Sequence, residues 1–218
     1  MYKLLIFDWD GTLIDSAAKI IASMQAAARD CALPVPSDDA VRDIIGLGLP
    51  EAIRILIPGI EQSDLEAVRV RYGVHFLETN TTPMPLFPGV RESLERMHQR
   101  GVRMAVATGK SRRGLNRGYE QTGLGHLFET SRCADETTSK PDPHMLHEIL
   151  AETGVAAHEA LMIGDTEYDL EMGLRAGTGL VAVSYGAHSV NRLEPYNPVL
   201  KVDEFPQLEN WLAPTLGW

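Results

Sequence analysis

Four short apolar runs constrain this chain more than any other feature. They are KLLIF at 3–7, RMAVA at 103–107, ALMI at 160–163 and GLVAV at 179–183. A strand with one face in water alternates apolar and polar residues, whereas a near-continuous apolar run predicts a strand covered on both faces, as in a parallel sheet. Amphipathic helical patterns lie between and beside the runs, at 90–100, 112–122, 142–153 and 166–176. Strand–helix alternation of this kind predicts an α/β fold with a doubly wound parallel sheet. In such sheets ligands sit outside the carboxyl ends of the strands.

One stretch interrupts the alternation. From 16 to 80 only helical patterns occur, such as AAKIIASMQAAARD and EQSDLEAVRVRYGVHFLET, separated by PVPS, GLGLP and IPG. The proline-rich TTPMPLFPG that follows suits a hinge returning the chain to the sheet. The expected organisation is an α/β core of 1–15 and 81–218 with a small all-helical domain, 16–80, inserted after the first strand. No internal repeat or low-complexity tract appears.

Charge narrows the partners. The chain of 218 residues carries 20 Lys+Arg against 30 Asp+Glu, a net charge of -10, which argues against nucleic acid or an anionic membrane as main partner. An acidic protein that binds an anion must reverse its own field locally, with a metal ion, a lysine or helix N-termini. Cys31 and Cys133 have no CxxC spacing, so neither a disulfide framework nor a zinc knuckle is expected. The apolar run of MYKLLIFDWD is too short for a signal peptide and is broken by acid. No apolar stretch is long enough to span a membrane, and the expected location is the cytoplasm.

The ends of the strands carry the chemistry. The first run ends in Asp8-Trp9-Asp10-Gly11-Thr12, and if the strand persists Asp8 and Asp10 share a face. Two crowded carboxylates are costly to ionise together, and a hard divalent cation such as magnesium relieves that cost. A strand running into an Asp-rich turn is the alternative reading of this segment alone. The second run ends in Thr108-Gly109-Lys110-Ser111. A nucleotide P-loop would need glycine five residues before Gly109, where Met104 stands, so that motif is rejected. What survives is a hydroxyl and backbone N–H groups at a helix start, fit either for a phosphate or for ordinary capping. Lys140 sits in SKPDP on a loop stiffened by two prolines, fit to neutralise a phosphoryl oxygen or a carboxylate, although taken alone it reads better as a solvated surface lysine. Gly164-Asp165-Thr166-Glu167-Tyr168-Asp169 follows the third run, with acids that suit either a helix dipole or a metal. In a parallel sheet these ends converge, and together they supply what phosphoryl transfer requires: carboxylates, one lysine and a hydroxyl.

Other residues carry less. His144 and His147 lie three apart on a helical pattern but lack a third ligand for zinc. His75, His98, His126, His158 and His188 stand alone in sequence, and Trp9, Trp211 and Trp218 form no basic-aromatic pattern. VDEFPQLENWL reads as a terminal amphipathic helix packed on the sheet.

DWDGT, the Thr108 strand end, Lys140 in SKPDP and GDTEYD together resemble, in order and over nearly the whole chain, the four motifs of the haloacid dehalogenase superfamily of phosphohydrolases. The helical insert resembles that family's cap domain, and DSAAKIIASM with KPDP points to its phosphoglycolate-phosphatase-like branch. The resemblance implies that Asp8 is a nucleophile forming an aspartyl-phosphate and that Asp10 is the general acid and then base. It implies that Thr108 and the Gly109 N–H bind the phosphoryl group and that Lys140 neutralises charge around Asp8. Mg2+ would be held by the Asp8 and Asp165 side chains and the Asp10 carbonyl, with Asp169 bound directly or through water. Asp10 favours phosphate over carbon–halogen chemistry, because the family's dehalogenases lack it. Trp9 departs from the smaller apolar residue usual there. Lys110 suits either a substrate anion or the surface, and Gly46-Leu47-Gly48 either a loop closing over substrate or a plain helix link. The expected activity is a phosphatase for a small phosphorylated metabolite. Pyrophosphatase, nucleotidase and phosphomutase activities stay open, although AAKII lacks the cap histidine of β-phosphoglucomutase-like relatives, and so does a catalytically silent binding protein. Oligomeric state is not legible.

Overall fold

The computed structural model describes residues 2–216 of the chain, so Trp218 lies outside the described residues. After β1 (Leu4–Phe7) come four helices, α1 (Ala17–Asp30), α2 (Asp38–Asp43), α3 (Leu49–Leu56) and α4 (Gln62–Val74), the last running into a π-helical turn at His75–Thr79. The chain then continues as α5 (Val90–Gln99), β2 (Arg103–Thr108), α6 (Arg112–Thr122), β3 (Thr130–Cys133), α7 (His144–Thr153), β4 (Ala160–Gly164) and α8 (Glu167–Ala176). It ends with β5 (Gly179–Val183), α9 (Val190–Leu193), β6 (Leu200–Val202) and α10 (Pro206–Leu216).

The strands form one parallel sheet in the order β3-β2-β1-β4-β5-β6. Phe7 pairs with Val106 on one side and Ile163 on the other, so the ends of β1, β2 and β4 lie within two residues of one another. The chain fills the β2–β3 side before crossing to β4, and this reversal of direction beside β1 is where open α/β sheets place their ligands. The apolar runs are continuous because both faces are covered. Leu5, Phe7, Val106 and Ile163 pack with Leu94, Met97, Leu115 and Leu208 of α5, α6 and α10. Leu4, Ile6, Ala105 and Met162 point the other way, onto Met145, Ile149 and Leu170 of α7 and α8.

Two strands escape a reading based on apolar runs. β3 is TSRC, an edge strand whose Arg132 is occupied by Glu148 and Glu152 on α7 rather than by a core. β6 is LKV at the other edge, too short to show a period. Between 17 and 79 the structure is helical, with its own cluster of Ile20, Met24, Ala27, Val41, Ile53 and Val68. The segment EQSDLEAVRVRYGVHFLET is not one uniform helix: its last turn widens to π geometry, and that turn carries Phe76. Such widened turns recur at functional sites.

Candidate active site

The strand does not persist to Asp10. β1 ends at Phe7, Asp8 N–H donates to the Ile163 carbonyl at 2.9 Å, and the chain then turns, with Leu13 and Ile14 N–H groups both on the Trp9 carbonyl. Gly11 has φ +83°, and a Cβ there would lie 2.1 Å from Asp165 Oδ2, so the turn demands glycine twice over. Its consequence is that Asp8 and Asp10, expected on one face, serve two different clusters.

Asp8, Asp165 and Asp169 form the first cluster, with one carboxylate oxygen from each within 4.8 Å of the others and every side chain buried. Asp165 is fixed from both sides: Thr12 Oγ1–H donates to Oδ1 at 2.8 Å and Ala187 N–H to Oδ2 at 2.7 Å. Asp169 closes a capping box with Thr166 at the start of α8, accepting from the Thr166 N–H at 3.1 Å and hydroxyl at 2.7 Å. Lys140 reaches in from its proline-flanked loop, with Nζ 2.6 Å from Asp8 Oδ1 and 2.7 Å from Asp169 Oδ1, its side chain fully buried. Three carboxylates against one ammonium leave two negative charges uncompensated. Burial, with Asp169 and Asp165 adding repulsion, pushes Asp8 well above the usual carboxylate range although Lys140 opposes it. Burial and then Asp169 push Asp165 up to about 7 against the Ala187 and Thr12 hydrogen bonds. Burial pulls Lys140 down, but Asp169 and Asp8 more than offset this and the ammonium is held charged. Asp8 Oδ2 is buried and accepts no hydrogen bond. Three converging carboxylates with two excess negative charges are the donor set a hard divalent cation fits.

Asp10 forms the second cluster. Lys110 Nζ contacts both its oxygens at 2.8 Å, and Ser16 Oγ–H donates to Oδ1 at 2.6 Å. Lys110 is therefore no surface lysine: its ammonium also lies 4.6 Å from the centroid of Phe76. Thr108, fully buried at the end of β2, accepts the Lys110 N–H on Oγ1 at 3.2 Å. The next helix is capped by Ser111, which accepts from Gly114 N–H, so Thr108 is left out of the cap.

The helical unit is docked on this end of the sheet. Gly46 (φ +102°) and Leu47 lie so close that a Cβ on Gly109 would stand 2.4 Å and 2.5 Å from their carbonyl oxygens. Gly48 N–H donates to Ser139 Oγ at 2.7 Å. On the far side the Asp43 carbonyl accepts the Tyr168 hydroxyl at 2.9 Å and the His188 ring at 3.0 Å. Glu167 N–H donates to His188 Nδ1, so Nε2 carries the proton toward Asp43, while Arg192 bridges Asp43 and Glu167. Between the two bodies lies a cleft of about 520 Å³, lined by Asp8, Asp10, Thr108, Gly109 and Lys110 below and by Gly46, Ile20, Met24, Tyr72 and Phe76 above. The structure thus brings together Asp8, Asp10, Thr108, Gly109, Lys110, Lys140, Asp165, Asp169 and Gly46.

Sequence reasoning missed several parts. Thr12 and Ala187 hold Asp165, Ser16 holds Asp10, and His188, alone in sequence, is a buried bridge between the bodies. His144 faces Glu148 in the open, away from the acidic cluster. Trp9 is buried edge-on against Tyr119 and packs on Gly118, whose missing side chain makes room for the indole.

Residues 5–183 match the family model for haloacid dehalogenase-like hydrolases. A protein of Dickeya dadantii named probable phosphatase IndB is 34% identical over 95% of this chain and 92% of its own length. A phosphoglycolate phosphatase of Aliivibrio fischeri is 31% identical over 94% of this chain and 94% of its own. A crystal structure described as a predicted phosphoglycolate phosphatase from Haemophilus somnus superposes with a TM-score of 0.87 at 24% identity, covering 96% of this chain and 97% of that one. The chain belongs to the haloacid dehalogenase-like hydrolase family. Its curated relatives put it, within that family, among the phosphatases.

Proposed function

We propose that this chain is a magnesium-dependent phosphatase hydrolysing a small phosphoglycolate-like phosphomonoester through an aspartyl-phosphate on Asp8. One observation carries the reading: Asp8 borders the cleft with Oδ1 pinned by Lys140 and Oδ2 without a partner. Oδ2 is the nucleophile. It attacks phosphorus, the P–O ester bond breaks, and Asp10 in its acid form gives its proton to the departing alkoxide. The Asp10 carboxylate then takes a proton from the water that attacks the same phosphorus. The bond from phosphorus to Asp8 breaks, inorganic phosphate leaves, and both aspartates return to their starting forms. Thr108 and the Gly109 N–H hold the phosphoryl oxygens, while Ser16 and Lys110 aim Asp10. A magnesium ion on Asp8, Asp165, Asp169 and the Asp10 carbonyl would neutralise the excess negative charge and admit an anionic ester. Residues 16–80 act as the cap that excludes water from the cleft, with 1–15 and 81–218 as the core. No described helix is long and apolar enough to cross a membrane, and we place the protein in the cytoplasm with no nucleic acid partner.

The test is Asp8→Asn with p-nitrophenyl phosphate and magnesium. Activity should fall by at least about a thousandfold, because a carboxamide cannot form the acyl phosphate. Full activity in the variant would end this reading.

A further inference from the structure

One lysine breaks the amphipathic pattern of its helix. Lys19 lies in the buried stripe of α1 with Ile20, Ile21, Ser23 and Met24 and is only 8% exposed. Buried lysines are ordinarily paired with a carboxylate. In a chain with 30 Asp+Glu and a net charge of -10, none of the described acids pairs with this one. Its one described contact of opposite polarity is the face of Phe76, 5.4 Å from Nζ. A ring quadrupole compensates an ammonium less fully than a carboxylate does.

The surroundings add positive charge rather than removing it. A narrow slot at the seam between α1, the π turn and α6 is lined by Lys19, Phe76, Lys110, Gly114 and Arg117, among others. Phe76, Lys110 and Gly114 also line the main cleft, so the slot adjoins the space where substrate would lie. With about 10 Å³ of free space, room for about one water, it meets an anion only at its mouth, within reach of the long Lys19 and Arg117 side chains. Lys110 is committed to Asp10, whereas Arg117 stands exposed at the border of the slot with no ion pair among the described residues. Burial, Arg117 and Lys110 all press the Lys19 ammonium toward its neutral form. A fold that keeps an uncompensated cation at a cleft edge, next to two more, gains from an anion arriving there.

We propose that Lys19 and Arg117 form a second anion subsite that selects phosphomonoesters bearing another anionic group, a carboxylate or a second phosphate, a short distance from the transferred phosphoryl. The subsite rests on the phosphatase reading for its place in catalysis, but not for its existence as a binding site. Lys19 is a specificity residue rather than a catalytic one: it meets the end of the substrate that does not react. Phe76, on the widened turn, is the wall shared by Lys19 and Lys110.

Two measurements test this. In the first, kcat/KM with magnesium is compared for 2-phosphoglycolate, ethyl phosphate and a short alkyl bisphosphate, in the wild type, Lys19→Met and Arg117→Met. The wild type should prefer an anionic ester over ethyl phosphate by tenfold or more, and Lys19→Met should bring that ratio close to one, mainly through KM. Whether phosphoglycolate or the bisphosphate shows the larger preference tells which anion the subsite takes. An unchanged ratio in Lys19→Met overturns the proposal. In the second, binding of phosphonoacetate and methylphosphonate is measured by calorimetry, with no turnover needed. Tighter binding of phosphonoacetate that Lys19→Met abolishes supports the subsite even if the wild type hydrolyses none of the esters, an outcome that would count against the phosphatase reading alone. Equal affinity for the two phosphonates in the wild type overturns the subsite. Lys19→Arg, which keeps the charge, should retain most of the discrimination, and so separates loss of charge from a disturbed α1.

Discussion

Replacing Lys140 by methionine isolates the electrostatic burden at the centre of the fold. Met fills the space of the lysine stem, so the main change is the loss of a buried ammonium 2.6 Å from Asp8 and 2.7 Å from Asp169. Removing one partner from a buried ion pair costs about 3–5 kcal/mol, because the remaining charge stays desolvated and unpaired. For a chain of this size about 2–4 °C of melting temperature corresponds to each kcal/mol, so the variant should melt about 6–20 °C below the wild type in EDTA. The comparison needs an internal standard, which Lys3 supplies: its pair with Glu159 has a lysine side chain 56% exposed. Lys3→Met should therefore change stability by less than about 1 kcal/mol. Magnesium sharpens the test. A ligand at a hundred times its Kd stabilises by about 2.7 kcal/mol, and the cluster left more negative by the substitution should attract the cation more strongly. Magnesium should thus raise the melting temperature of Lys140→Met by more than that of the wild type, read by scanning calorimetry in parallel samples. A variant melting within about 2 °C of the wild type in EDTA would refute the claim that Lys140 is the main charge compensating these aspartates.

Gly109→Ala should reduce kcat/KM by about tenfold to a hundredfold with little loss of melting temperature, since its Cβ would strike the Gly46 and Leu47 carbonyls and push the helical unit off the cleft. Steady-state kinetics beside a melting curve separate this from a folding defect. Gly118→Ala gains helix propensity but presses on Trp9, which is buried and boxed in by Tyr119 and Phe128; the net should be a loss of about 1 kcal/mol in urea unfolding. Glu209, on α10, is held below its usual range first by the Arg96 hydrogen bonds, against burial. A depressed acid contributes stability above its unfolded pKa and loses it as pH falls through the folded value. Glu209→Gln should cost about 1 kcal/mol at pH 7, discounted for the half-exposed Arg96, and the gap to the wild type should close as pH falls below about 4.

What the sequence revealed, and what it hid, follows from the range of each interaction. Buried strands announce themselves locally, since KLLIF and ALMI must be apolar on two faces. The edge strand Thr130–Cys133 does not, because Arg132 and Ser131 answer to partners on α6 and α7 rather than to a core. Asp8, Lys140, Asp165 and Asp169 were legible as separate strand-end polar groups, and parallel topology alone makes such groups converge. The turn that separates Asp8 from Asp10 stood only as one of two readings, for what decides it is Gly11 meeting Asp165, a neighbour far along the chain. The role of Lys110 likewise needed Asp10 and Phe76 to be placed together by two different bodies. His188 was unreadable for the same reason: its partners are a backbone carbonyl of α2 and an amide of α8, and backbone groups leave no trace in composition.

Three lysines at this end of the sheet differ in what compensates them, and the order is informative. Lys140, deepest, is held by two carboxylates of the protein itself. Lys110, at the cleft wall, is held by one carboxylate and a ring face. Lys19, at the seam, has the ring face alone. Compensation supplied by the chain thus fades outward from the proposed nucleophile, and the shortfall grows where a substrate's distal end would lie. The inner pairings cannot be altered without disturbing Asp8 or Asp10, so they constrain the chemistry. The outer cation touches neither, so a change at Lys19 can redirect the site to a different ester while the reaction at Asp8 stays the same. That separation is how one fold can serve many substrates with a single mechanism.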